Sequence, residues 1–380
     1  MRTPVLRPMA ATITDILACL DAAYPFSWAI SEDRAGLQIG DPRTKVSTML
    51  VALEATPAVA AEAASQQAQL LLTHHPLFFQ PAYDIRTDRP AGRLLAALVR
   101  AGVAVVSCHT NLDLAPQGLN EHLASELGLE DVEVLAEVRQ DAWLKLAVFV
   151  PVGYEDQVRA ALMDDRVGVI GRYADCSFAG RGQGTYRPLA GARPFRGEAA
   201  ALCRAEESRL EVLVPESRLA AALARLRAAH PYEEVAYDLY PLANRGLALG
   251  FGRVGRWPAG LSFQEVVDRV KAVFAVSGVR IWGRPPAKIF RAAVCGGSGG
   301  DLIAPAQAQG AHVYITGEVR HHQAVPGNEE DFAIIEVGHF SSEAVFMPAW
   351  AEQVAQLLQQ RQLEVQVRLA TSQAAPFHLV

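Results

Sequence analysis

Short apolar runs alternate with longer amphipathic stretches along most of the chain. Ser47 to Leu53, Gln69 to Thr73 and Val103 to Cys108 read as strands, and Pro57 to Gln67, Arg93 to Ala101 and Leu119 to Leu127 as helices. The same rhythm returns near the end. Phe263 to Phe274 and Asp301 to Gln309 have helical spacing, while Arg291 to Cys295, His312 to Ile315 and Phe332 to Val337 read as strands. A long helix through Gln359 and the alternating strand Leu363 to Leu369 follow. Strands separated by helices of this length predict a largely parallel sheet with helices on both faces.

Between the two ends the period changes. Leu144 to Val150 is strand-like, Tyr154 to Met163 helical, and Gly168 to Tyr186 has the Gly-rich, aromatic character of a hairpin region. Arg209 to Val214, Glu216 to Ala229 and Val235 to Leu242 then read as strand, helix and strand. That β-α-β-β-α-β order predicts a ferredoxin-like module. The Gly-rich stretch Arg245 to Gly255 reads as a hinge leading back. The fold expected is therefore α/β: an α/β/α sandwich domain formed by residues 1–140 and 247–380, with an inserted ferredoxin-like α+β domain at 141–246.

Composition narrows the class. At 380 residues the chain exceeds what one core usually holds, which agrees with two domains. Hydrophobic residues are 51% and the net charge is -6, which fits a globular protein and argues against nucleic acid or an anionic membrane as main partner. Cys19, Cys108, Cys176, Cys203 and Cys295 are scattered and odd in number, without a CxxC pair, so a reducing cytoplasm is the compartment expected. Met1-Arg2-Thr3-Pro4-Val5 lacks a sustained apolar core, and Asp15 and Asp21 interrupt the next segment; an amphipathic helix is expected, and no signal peptide. No apolar stretch approaches the ~20 residues of a membrane-spanning helix.

The chemistry gathers where strands end. His74 and His75 stand directly after Gln69 to Thr73 and before Pro76. Their ring nitrogens need partners at the mouth of a buried strand, Pro76 holds His75 extended, and a turning backbone can aim both rings at one point. His109 and Asp113 follow the next strand; Glu318, His321 and His322 follow His312 to Ile315; His339 and Glu343 follow Phe332 to Val337. Ligands of open α/β sheets collect at such carboxyl ends. His339 and Glu343, four apart at a helix start, share one face and can grip an ion, although a first-turn glutamate also favours the helix dipole without metal. Imidazole with carboxylate suits zinc, iron, manganese or nickel and disfavours copper(I) or calcium. Three histidines and two carboxylates exceed one open catalytic ion and fit two divalent transition-metal ions bridged by Asp113 or Glu343.

The segments LLTHHPLFF, SCHTNLDLAPQGLNEHLA, YITGEVRHH and EVGHFSSE resemble the signature blocks of the YbgI-type (Nif-three-like) dinuclear metal-centre family, whose members include GTP cyclohydrolase I type 2 homologs. CSFAGRGQGTYRPLAGARPFRG and HPYEEVAYDLYPL resemble the PII- or CutA-like insertion of its long form. The resemblance implies that His74, His75, Asp113, His339 and Glu343 hold two ions (zinc, iron or manganese). It also implies a homohexameric ring with the insertion over the metal sites. His109, Glu318 and His322 lie in family blocks and are candidates for supporting, substrate-contacting or catalytic roles. Two departures concern substrate contacts: Asp33-Arg34-Ala35-Gly36-Leu37 replaces a common Asp-Asn before Gly-Leu, and Glu54 stands where aspartate is common.

The function expected is a cytoplasmic metal-dependent hydrolase acting through metal-activated water on a nucleotide or similar small molecule. The alternatives are a non-enzymatic hexameric scaffold sensing metal or ligand, and ions that only stabilise the fold. Gly296-Gly297-Ser298-Gly299-Gly300 reads either as a tight strand-to-helix turn or as an anion cradle. His230-Pro231-Tyr232-Glu233-Glu234 reads as a turn, with Tyr232 and Glu233 as lid residues if the resemblance extends so far. His122, His312 and His378 are expected to serve packing or the surface.

Overall fold

The structure, a computed structural model, describes residues 10–325 and 331–377. Met1 to Val5 and His378 thus lie outside the described residues. The chain forms two compact units, Met1–Val138 with Leu249–Val380, and Arg139–Ala248.

The first unit holds two large sheets. One runs in the order Gln366–Leu369, Thr48–Ala52, Leu70–Thr73, Ala104–Ser107, Gly36–Ile39. The first four strands are parallel and the last is antiparallel. Leu70–Thr73 and Ala104–Ser107 are buried at every position, as strands covered on both faces must be. Their core neighbours include Leu50, Val59, Leu71, Leu98 and Val105. Each such side chain stabilises the fold by roughly 1.5–3 kcal/mol.

The other sheet runs Arg280–Arg284, Phe332–Glu336, Val313–Glu318, Ile289–Ser298, Leu247–Leu261, Glu130–Asp141. Phe332–Glu336, Val313–Glu318 and Ile289–Ser298 are mutually parallel. Each sheet borrows an edge from the other end of the chain. Gln366–Leu369 crosses to the N-terminal sheet, and Glu130–Asp141 to the C-terminal one.

Three local expectations need correction. Arg245 to Gly255 is no hinge, because Leu247–Leu261 is one strand. A Cβ at Gly250 would lie 2.0 Å from the Ala136 carbonyl oxygen, so glycine there permits close approach by the neighbouring strand. The helix expected from Asp301 to Gln309 starts as a 3-10 turn, Gly300–Leu302, before the helix Ile303–Ala308. The long helix through Gln359 is two, His339–Ala344 and Met347–Gln360, the second opening on Pro348, which suits a first turn.

The second unit is an antiparallel sheet ordered Tyr237–Pro241, Trp143–Pro151, Cys203–Pro215, Ser177–Tyr186. Helices Glu155–Leu162 and Leu219–Ala229 close one face through Leu146, Val148, Leu210, Val212, Val158 and Leu226. This is the ferredoxin-like order expected. The Gly168 to Tyr186 region supplies a single strand, however, paired with Cys203–Pro215 across a long connection.

Candidate metal centre

Strand ends of the first unit converge. Beyond Leu70–Thr73 the pairing continues through His74 N to Ala52 O (3.2 Å) and His75 N to Leu53 O (2.8 Å), which fixes both backbones before the chain turns. Asp113 lies in the short helix Thr110–Leu114 after Ala104–Ser107. His339 and Glu343 lie in His339–Ala344, after a left-handed Gly338 (φ +93°) that ends the preceding strand segment.

All five residues meet. Nε2 of His74 is 3.6 Å from Asp113 Oδ1 and 3.8 Å from Glu343 Oε1. Glu343 Oε2 is 3.0 Å from His75 Nε2 and 3.2 Å from His339 Nε2. Among the described residues two groups can hold a metal ion, His74 with His75 and His109, and His75 with His339 and Glu343, each with ligand atoms within 4.8 Å of one another. His75 belongs to both.

The orientation of the rings is more informative than their proximity. His74 Nδ1 is 2.9 Å from the Cys108 carbonyl oxygen, His109 Nδ1 is 2.9 Å from Asp33 Oδ1, and His339 Nδ1 is 3.1 Å from Glu318 Oε1. An Nδ1–H donated to each acceptor is the arrangement that turns Nε2 of each ring to the cluster, where a metal would take its lone pair. His75 Nδ1 faces Glu54 Oε2 at a longer 3.9 Å. Asp33 is itself anchored, accepting the amide of Thr110 at 2.9 Å and, by a short contact, its hydroxyl.

The donor set fits a metal. His74 Nε2, Asp113 Oδ1 and Glu343 Oε2 are buried and lack a hydrogen-bond partner among the described residues. The imidazoles approach Glu343 Oε2 closely but off the hydrogen-bond direction, so that oxygen has no donor. Leaving such atoms unpaired costs about 1–3 kcal/mol each. One bound cation or two would satisfy nitrogen and oxygen together.

The rings and carboxylates also act on one another's charge. Burial drives the Glu343 carboxyl up, but the imidazoles of His339, His74 and His75 outweigh it and hold the group well below the usual carboxylate range. Burial lowers His75, yet Glu343 and Glu54 bring it to about 10, and Glu343 lifts His339 to about 9 against burial. Burial raises the Asp113 carboxyl.

The remaining candidates divide. His109 is brought to the cluster itself, beside His74 and His75, with ring centroids 5.3 and 5.8 Å away. Glu318 reaches it only through His339. His322 is exposed on the short helix His321–Ala324, outside both groups. The glycine loop is a structural turn. The amides of Gly296, Gly297 and Gly299 are taken by Asn120 Oδ1, Ser342 Oγ and Glu318 O, leaving none of these three for an anion. Sequence reasoning missed Asp33, Glu54 and the Cys108 carbonyl as partners of the rings, although acids at both positions stood in the quoted blocks or their departures. A cavity of 620 Å³ opens beside His75, lined by Glu54, Phe79, Tyr83, Arg86 and Arg89 among others.

Fold and cluster together define an α/β protein with histidine and carboxylate groups able to hold metal where its strands end. The chain belongs to the family described as Duf34/NIF3 (NGG1p interacting factor 3), whose model matches residues 11–376. It is 36% identical over 356 residues to the GTP cyclohydrolase 1 type 2 homolog of Halalkalibacterium halodurans, spanning 94% of this chain and 95% of that protein. The Bacillus subtilis protein of the same name is 36% identical over 362 residues, 95% of this chain and 97% of its own. A crystal structure of a Bacillus cereus protein related to NIF3 superposes with TM-score 0.86 at 34% identity, covering 98% of this chain and 100% of that one. No helix among the described residues is long and apolar enough to cross a membrane.

Proposed function

We propose that this protein is a metal-dependent hydrolase in which His74, His75, Asp113, His339 and Glu343 hold two divalent transition-metal ions. The observation that carries this is the set of outward Nδ1 bonds, which turn the Nε2 atoms of His74 and His339 onto buried carboxylate oxygens without donors, with His109 held beside His74 and His75 in the same way. Divalent ions held there would supply Lewis acidity and make water a nucleophile near neutral pH. The chain's own groups do the rest. Asp33 fixes the tautomer of His109, which makes that ring the candidate for moving a proton at the cluster. Phe79, whose ring lies 5.7 Å from His109 and 6.1 Å from His75, offers a face to a planar substrate in the adjoining cavity.

The relatives' names bring GTP forward as the first substrate to assay. The family resemblance further supports a homohexamer, and the scattered cysteines a cytoplasmic setting. The test is GTP turnover by zinc-, iron- and manganese-loaded protein beside an Asp113→Ala variant, with elemental analysis of protein purified without added metal. Turnover in the loaded wild type that is lost in the variant is expected; equal rates in both would refute the hydrolase. Tight nucleotide binding without product would favour a sensing scaffold.

A further inference from the structure

The second unit carries a cavity of its own, 540 Å³ in volume, with Phe149, Tyr186, Phe195, Glu207 and Tyr232 in its lining. It lies where two motifs without a role in the metal cluster meet: His230-Pro231-Tyr232-Glu233-Glu234 and the connection after Ser177–Tyr186. His230 organises the first. Its Nε2 is 3.1 Å from the Phe149 carbonyl oxygen, and its Nδ1 accepts the Tyr232 amide at 3.1 Å. Tyr232 then stands 5.8 Å from the Phe195 ring and 6.3 Å from Tyr186.

Glu207 gives the cavity its chemistry. It is 8% exposed, and Tyr232 Oη donates to its Oε1 at 3.0 Å. No other hydrogen bond and no ion pair reaches this carboxylate among the described residues. Its second oxygen lies over bare backbone, since a Cβ at Gly184 would meet Oε2 at 2.0 Å. Glu233 and Glu234 also line the cavity, against one lining guanidinium, Arg187, which donates to the Ala200 carbonyl; Arg196, outside the lining, stands over the Phe195 ring at 5.7 Å.

We propose that this cavity binds an organic cation, an amine or quaternary ammonium bearing an apolar body, with Glu207 as counter-ion and Tyr186, Phe195 and Tyr232 as the aromatic wall. A nearly buried carboxylate without a positive partner is costly, and a bound cation removes that cost. Electron-rich rings favour the same charge. An anion would face three carboxylates, and a neutral ligand would leave the Glu207 charge without a counter-ion. The volume is that of a small-molecule site. The inference stands apart from the histidine cluster and survives if that cluster proves non-catalytic.

The test is titration calorimetry of the full-length protein with benzyltrimethylammonium, benzyl alcohol and phenylacetate. The cation is expected to bind at least about tenfold more tightly than either control. Glu207→Gln, which keeps the shape and removes the charge, should abolish that preference, with an unchanged melting temperature showing that the unit remains folded. Gly184→Ala, which keeps the charge and displaces the carboxylate, should weaken the cation as well. No heat with the cation, equal binding of phenylacetate, or unchanged binding in Glu207→Gln would overturn the proposal. If Glu207→Gln instead alters the assembly size in sedimentation, a second copy's side chain fills the cavity, and the proposal likewise falls.

Discussion

A single methyl group tests whether the glycine loop positions Glu343. Gly297 has a left-handed backbone (φ +66°), and a Cβ there would lie 2.5 Å from Glu343 Oε1 and 3.5 Å from His339 Nε2. Ordinary contact begins at 3.4 Å, so Gly297→Ala must open the first gap by 3.4 - 2.5, about 0.9 Å. Glu343 is only 4% exposed and lies 3.8, 3.0 and 3.2 Å from His74, His75 and His339, so its carboxylate cannot shift that far without changing its distances to the rings. Metal–ligand bonds tolerate about 0.2 Å. The matched control is Gly102→Ala, at φ +69° with nothing within 4 Å, which carries the backbone strain alone. That strain costs about 1–2 kcal/mol, or roughly 2–4 °C in Tm for a unit of this size. Calorimetry should therefore show both variants melting early. Zinc competition against a chromophoric chelator should show only Gly297→Ala losing affinity, by about tenfold or more, the scale on which a misoriented ligand weakens a site. Equal affinity in the two variants would refute the reasoning.

Zinc at about 100 times its Kd should stabilise the wild type by about 2.7 kcal/mol in calorimetry, and Glu343→Gln should lose that gain; a wild type indifferent to zinc would count against the site. Glu318→Ala removes a half-exposed partner of His339 Nδ1, so zinc affinity should fall about 10–100-fold while urea stability stays within about 0.5 kcal/mol. Leu71→Ala, at a fully buried position, should cost about 2–5 kcal/mol in urea, and a loss below about 1 kcal/mol would contradict its place in the core. Glu62 accepts the amides and hydroxyls of Thr371 and Ser372; burial pushes its carboxyl up, but these donors bring it from 4.5 down to about 2. Because the folded value is depressed, protection of the Thr371 and Ser372 amides in hydrogen exchange should be full above pH 4.5 and fade as pH falls towards 2. Glu62→Gln should show no such fading once intrinsic rates are removed.

The local order of this chain is written in its period. Leu70–Thr73 and Ala104–Ser107 announce themselves as buried strands, and the ferredoxin-like order of the second unit follows from alternation in spacing, because both depend on residues a few positions apart. The grouping of His74 and His75 with Asp113, and of His339 with Glu343, was legible for a related reason: strand ends are local, and an open α/β sheet places its own on one side. These two sets follow strands of different sheets, and only the tertiary structure brings them together. What tertiary structure alone decided lies between distant residues. Asp33 meets His109 across 76 positions, a Cβ at Gly297 would strike Glu343, and each sheet of the first unit takes an edge from the far end of the chain. Glu207 gains its aromatic company only when Cys203–Pro215 pairs between Ser177–Tyr186 and Trp143–Pro151. Periodicity states which face of an element is buried. Which partner buries it, and which ring nitrogen is left free, is settled only by strand register and packing.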